Sequence, residues 1–546
     1  MIGGLGRLSR YLLAGAGVIE ILAAGGTPAG ATDVQQLEAA MKAMQAQMEV
    51  LQKQVQEAKA AAASAQTAAK TGSGSDLDLK VKWKGAPELS SSDGKFKFKV
   101  RGRLETDYEN ANQATAITGF PDISATELRR ARIGVEGVAF YDLKYILEVD
   151  FANDQTVVKD AYIQYQGVKI GDTPLYFRAG NFKTPNTLEE LTSDLNVDTL
   201  ERAAFINAWQ IDRQIGFMTA YYADHFGLSA GIFGDRPSST ASNPLFPGFI
   251  GNEDTTFAAR ATVAPINREV NGVTQVLHFG ASVRTRDSGN DQSLFQYQAR
   301  GADLHMTNFA VNTGRIGDSD TFWGLETAYL WGPFSAQAEY GHLDVNVPTG
   351  AFLRSNPPGA GQLTTINNPF IGIPDPSYDG WYVEGTWFFG GHRTWDKEGK
   401  FARPHIDNPM RWSEGKGWGA LQLVGKYDVL DMSDNAFNNA FNANSGFVGG
   451  CPTTRLYPGL SQSAAGSSAL IAPSIAQCGE MKTWSIGVNW YLNDYTRLMF
   501  QYSESDLGGY PTTNLVATST QPVSGPVAGF DGAKIRGFGM RAQVDW

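Results

Sequence analysis

From Lys95 to Tyr108 apolar and charged residues alternate almost without lapse. Phe96, Phe98, Val100, Gly102, Leu104, Thr106 and Tyr108 share one face; Lys95, Lys97, Lys99, Arg101, Arg103, Glu105 and Asp107 share the other. Successive side chains of a β-strand point to opposite sides, so one side of this strand is greasy and the other is a ladder of charge. The same period returns at the end of the chain, where Phe538, Met540, Ala542, Val544 and Trp546 alternate with Gly539, Arg541, Gln543 and Asp545. Many long alternating strands separated by turn residues predict an all-β fold, a closed antiparallel barrel whose apolar face meets lipid and whose polar face lines a lumen.

Composition is compatible with that fold and restricts the alternatives. Apolar content of 42% and a mean hydropathy of −0.26 look like a soluble protein, yet a polar lumen dilutes the hydropathy of any barrel. After the N-terminus no stretch of 18 uncharged apolar residues occurs, which argues against spanning a membrane with helices. A net charge of −11 argues against nucleic acid as a partner. Residues 1–31 read as a secretory signal: Arg7 and Arg10, then the apolar stretch Tyr11 to Ala24, then the small residues Ala29-Gly30-Ala31. The two cysteines, Cys451 and Cys478, fall in one long connection, and in an oxidising compartment they are expected to form a disulfide.

Residues 32–70 carry an a/d repeat. Val34, Leu37, Met41, Met44, Met48, Leu51, Val55, Ala58, Ala62, Ala65 and Ala69 follow at spacings of three and four, which predicts a self-associating coiled coil. A single solvated helix is the alternative. A linker over 71–94, opening with Thr71-Gly72-Ser73-Gly74-Ser75, leads to a barrel over 95–546. There alternation and turn chemistry give sixteen strands, near 95–108, 126–139, 143–152, 157–167, 174–182, 213–222, 225–235, 255–264, 274–287, 320–331, 333–343, 379–390, 416–429, 482–491, 495–505 and 534–546. Tight turns such as Tyr141-Asp142 and Gly332-Pro333 alternate with long segments such as 183–212, 288–319 and 430–481. That sorting suits a barrel with one short-turn rim and one long-loop rim, and sixteen strands leave an aqueous lumen.

Function is expected on the inward faces. Lys95, Lys97, Lys99, Arg101 and Arg103, with Arg130, Arg132, Arg178, Arg284 and Arg286, form a candidate basic ladder, and basic rings or ladders select anions in pores. Residues 183–212 carry Glu189, Glu190, Asp194 and Asp198; folded inward, they would set acidic groups opposite the basic wall. The connection 391–415 is long for its rim and rich in His, Lys and Arg. None of the six histidines stands in a metal-ligand spacing or beside a nucleophile elbow, so no cofactor and no enzymatic activity are expected.

Lys97-Phe98-Lys99-Val100-Arg101-Gly102-Arg103-Leu104, Leu128-Arg129-Arg130-Ala131-Arg132-Ile133 and Asp160-Ala161-Tyr162-Ile163 resemble the opening strands of the phosphate-selective porin O and P family. Arg178-Ala179-Gly180-Asn181-Phe182, Leu200-Glu201-Arg202 and Gly487-Val488-Asn489-Trp490-Tyr491 continue the resemblance. It implies a homotrimeric sixteen-stranded porin of the outer membrane, set in lipid, that passes small anions or hydrophilic solutes. Two departures weaken tight phosphate binding: Leu188-Glu189-Glu190 carries a carboxylate where family members place a lysine, and Arg403-Pro404 replaces a Lys-Pro. The expected function is passive diffusion with an anion preference; a structural tether anchored by the barrel is the alternative.

Overall fold

The computed structural model describes residues 79–237, 255–288, 294–348, 374–434, 478–509 and 530–546, with the short stretches 352–355, 363–366, 441–442 and 447–448. Lys42, Glu49, Lys53 and Gln56, all helical, are also described. The expected signal segment, the rest of the expected coiled coil and Cys451 lie outside the described residues. Cys478 is disulfide-bonded.

Eighteen strands are hydrogen-bonded into one antiparallel sheet, and sixteen of them close on themselves. They are β1 (Lys97–Asn112), β2 (Ile123–Ala139), β3 (Leu143–Asp150), β4 (Val157–Ile170), β5 (Thr173–Lys183), β6 (Arg213–Tyr222), β7 (Phe226–Phe233) and β8 (Thr255–Val270). The second half is β9 (Val273–Asp287), β10 (Ser319–Trp331), β11 (Phe334–Asn346), β12 (Ser377–Phe389), β13 (Ala420–Asp431), β14 (Glu480–Asn493), β15 (Thr496–Gly508) and β16 (Lys534–Asp545). Each pairs with its chain neighbour, and β16 returns to β1 in the register Arg541↔Asp107 and Asp545↔Arg103. The seam is completed by the last residue: Trp546 exchanges backbone hydrogen bonds with Gly102, and its ring lies where a Cβ at Gly102 would be.

All sixteen expected strands are present in order. The largest boundary change is at β8, which runs six residues past its expected end to the turn Asn271-Gly272. Both turn residues have positive φ, 54° and 78°, as a primed hairpin turn requires. The alternation also holds. Phe217, Ile232, Leu325, Val383, Trp387 and Ile486 are exposed on the outer wall, while Glu326, Glu339, Tyr382, Glu384 and Lys426 are buried inward.

One stretch departs from the expectation. Within the supposed linker 71–94, Leu79–Lys84 and Ala86–Ser91 form a hairpin, and its second strand adds to the base of β1 through Glu88↔Lys99, Leu89↔Phe98 and Ser90↔Lys97. The cause is legible in Leu79, Val81 and Trp83 alternating with Lys80, Lys82 and Lys84, and in Gly85, whose φ of 73° makes the turn.

The lumen is not an open cylinder. Residues 184–212 and 294–318 turn inward from the long-loop rim, and the hairpin Gly391–Asp396/Lys400–Ile406 enters from the other rim. The largest buried apolar cluster therefore lies inside the barrel. Phe205 and Trp209 of the short helix Ala204–Trp209 meet Phe322 and Tyr382 of the wall. Glycines make the room: a Cβ at Gly380 would collide with Phe205, and one at Gly539 with Leu200.

Candidate functional site: a constriction at mid-lumen

The segment 184–212 crosses the lumen, anchored on several strands at once. On β11, Glu339 accepts hydrogen bonds from the backbone amides of Leu188 and Glu189, both at 2.8 Å. On β13, Asp428 accepts from the Ala204 amide at 3.3 Å. Arg497 on β15 and Arg541 on β16 donate to the carbonyls of Val197 and Leu200, each at 2.8 Å. Backbone groups that would otherwise meet water thus find partners on the wall, which is what an inward loop needs.

The acidic residues of this loop have distinct roles. Glu189 and Glu190 turn back into the loop: Glu189 accepts from the Ala203 amide at 3.0 Å, and Glu190 accepts from Asn186 at 2.6 Å and the Asp212 amide at 3.0 Å. Burial pushes both carboxyls above their ordinary range, against the pull of Lys426 and Arg202 on Glu189 and of Asn186 and Arg284 on Glu190. Asp198 pairs at 2.6 Å with Arg393 of the hairpin from the opposite rim. Glu201 pairs with Arg129 at 3.0 Å and Arg541 at 3.4 Å, and Asp194 meets the basic wall of β1 and β2. Its carboxylate lies 3.6 Å from Arg103, 3.4 Å from Arg130, 3.6 Å from Arg132 and 2.6 Å from Arg202. Burial opposes its ionisation, but Arg130, Arg202, Lys183 and Arg132 outweigh burial and hold it well below the usual carboxylate range.

The basic ladder divides in the same way. Lys95 and Lys97 sit at the short-turn rim, Lys95 over the rings of Phe96 and Phe140, because β1 begins only at Lys97. Lys99 is half-buried near that rim, paired across the ladder with Glu136. Arg101 bridges Glu136 and Glu148, both at 3.1 Å. Arg130 pairs with Glu105 at 2.5 Å, and Arg132 with Asp150 at 2.7 Å. Arg284 and Arg286 are covered by the inward loops: Arg284 donates to the Trp209 carbonyl at 2.7 Å, and Arg286 pairs with Asp320 and stacks 4.0 Å from the centre of the Phe295 ring. Strand parity predicts which charges face inward; it does not predict which of them a loop then covers.

What remains open beside the constriction is a cavity of about 240 Å³. Arg101, Arg103, Lys144, Arg178, Lys183, Arg213 and Lys400 line it against Asp160, Asp194, Asp396 and Glu398. Arg178 lies over the Tyr162 ring at 4.6 Å and reaches Glu398 at 3.4 Å. Arg213 is held bidentate by Asp160 at 3.0 and 2.9 Å. Lys144 forms no ion pair among the described residues, so its ammonium is available to a solute. A second cavity, of about 280 Å³, lies between the two inward loops and includes Arg129, Asn207, Gln298, Arg300 and His305. Three contributors were hidden from the sequence. Arg213 opens β6 on the parity of the outward Ile215 and Phe217, Glu398 sits in the turn of the hairpin, and 294–318 reads as an ordinary long loop.

A three-carboxylate group, Asp107, Glu109 and Glu127, also faces inward. Its charges are engaged: Asp107 by Arg541, Glu109 by the amides of His305 and Met306, and Glu127 by the His305 ring.

The chain is similar to several known proteins. The family model described as phosphate-selective porin O and P matches residues 98–523. Porin O of Pseudomonas aeruginosa is 26% identical over 442 residues, covering 76% of this chain and 84% of its own length. An uncharacterised protein of Caulobacter vibrioides is 27% identical over 361 residues, and the match spans 64% of each chain. Among solved structures the outer-membrane protein OmpT of Vibrio cholerae is similar at 13% identity, with a TM-score of 0.41 and coverage of 83% of this chain and 98% of that one. With a family model over most of a closed sixteen-stranded barrel, the chain belongs to the phosphate-selective porin O and P family, channels of the Gram-negative outer membrane.

Proposed function

We propose that this porin is a passive diffusion channel that prefers small anions, narrowed at mid-height by residues 184–212. One observation carries the preference: seven cationic side chains face four carboxylates around the 240 Å³ cavity, in a chain whose net charge is −11. A local reversal of sign in a confined passage concentrates anions there. The printed description of the family and the name of its relative from Pseudomonas aeruginosa support phosphate among the permeant ions, while Glu190 in place of a lysine argues for passage over tight binding.

The wider reading includes an exported precursor with a signal over 1–31, a periplasmic coiled coil over 32–70 and a homotrimer joined in part by that stalk. Planar-bilayer recordings under a KCl gradient test the pore. The expected result is an ohmic channel whose reversal potential shows anion preference, reduced when Lys144 and Arg178 are changed together to Gln. Cation preference in the unaltered protein, or selectivity indifferent to the double change, would overturn the assignment.

A further inference from the structure

Halfway along the wall, β1 and β2 set like charges directly opposite: Arg103 faces Arg132 across the ladder. Such a pair destabilises a sheet unless something lies between the charges. The wall supplies part of it, since Asp150 and Glu148 lie 2.7 and 3.3 Å from Arg132 and Glu105 lies 3.9 Å from Arg103, and a carboxylate from another element supplies the rest. Asp194 Oδ2 lies 3.6 Å from Arg103, 3.4 Å from Arg130 and 3.6 Å from Arg132, while Oδ1 lies 2.6 Å from Arg202. Three of the four distances exceed hydrogen-bond length, so the carboxylate is held by charge more than by fit. Arg103 Nη1 is buried and has no hydrogen-bond partner among the described residues. Arg103 and Asp194 both line the cavity, so the cluster opens on the passage.

Guanidinium groups converging on one small anion are a receptor for oxyanions, and this receptor already contains one, tethered to the chain. We propose that Asp194 is the resident occupant of a four-arginine oxyanion site, and that by filling it Asp194 keeps the constriction from retaining the anions that pass. This inference rests on the anion-conducting reading above. A tethered group competes at an effective concentration of roughly millimolar or more, so a free anion must displace it to stay. Fast conduction benefits, because an ion bound too well at a single site leaves slowly. Asp194 is then a specificity-determining residue: its charge sets whether oxyanions are passed or held.

The test uses the full-length protein in planar bilayers, with inorganic phosphate titrated into a chloride current. The variants are Asp194→Asn, Asp194→Ser and, as a charge-keeping control, Asp194→Glu. The neutral variants should be half-blocked at a phosphate concentration about tenfold lower than the unaltered protein, the effect expected for one freed charge-assisted contact, and Asp194→Glu should not be. Equal phosphate dependence in all four proteins overturns the proposal while leaving any anion preference intact. Lack of anion preference in the unaltered protein refutes the channel reading instead. If neither neutral variant gives a heat-modifiable barrel on gels, the arginines cannot stand without their carboxylate, and an exchangeable site is overturned.

Discussion

At the residue scale this porin is governed by pairing in a closed space. Arg393 shows the consequence. It lies 2.6 Å from Asp198 and 3.8 Å from Glu384, donates to the Asn196 carbonyl at 2.8 Å and stacks 3.4 Å from the centre of the Phe401 ring. It thus ties the loop from one rim to the hairpin from the other. Arg393→Ala leaves two buried carboxylates without their cation, a loss of about 3–5 kcal/mol; a lower denaturant midpoint and noisier single-channel current are expected, and an unchanged midpoint would refute the tie. Arg393→Lys should recover only part of the loss, since an ammonium cannot stack as a guanidinium does. The sequence shows Arg393 as one cation of a basic connection. Its loop partners, Asp198 and Asn196, lie almost 200 residues away, at a distance that no local pattern encodes.

At the element scale the hairpin from the short-turn rim should be removable without loss of the wall. Replacing 392–405 by a short Gly-Ser turn removes Arg393, Glu398, Lys400 and Phe401 from the lumen but none of the wall. Conductance should rise, with weaker selectivity, and a conductance unchanged within error would show that the passage lies elsewhere. The constriction loop should also respond to pH in a particular order. Asp194 and Glu201 are depressed below their ordinary values, Glu201 because Arg129, His305 and Arg541 outweigh its burial. Their stabilisation is present above the unfolded values of 3.8 and 4.5 and is lost only as pH falls through the lower folded values. Glu189 and Glu190 are raised, so their ionisation opposes the docked loop as pH climbs past 4.5, and acidification through that window strengthens docking. Proteolysis within 184–212 should therefore not increase between about pH 7 and pH 5 and should appear only under strongly acidic conditions; cleavage already at mild acidity would contradict the sign. A run of carboxylates announced an inward candidate at 183–212, whereas 294–318 gave no sign, because packing of Tyr297 and Leu304 against wall residues depends on tertiary contact alone.

At the scale of the whole molecule the barrel unit, Asp78–Trp546, carries its own closed sheet and buried cluster. Deleting 32–75 should therefore leave a heat-modifiable, conducting barrel, with any change confined to subunit association, measured by light scattering; loss of conductance would tie the stalk to the pore. By itself the sequence determined the strand number, the strand order, the face each side chain takes and the sorting of short turns from long loops. Those follow from a period of two and from turn chemistry, both local in the chain. Only the tertiary structure decided that Arg284 and Arg286 are covered while Arg101 and Arg178 face the cavity, and that Asp194 lies among four arginines. Each of these depends on groups brought together from distant strands, where ion pairing and burial in a confined lumen choose the partner and sequence proximity does not.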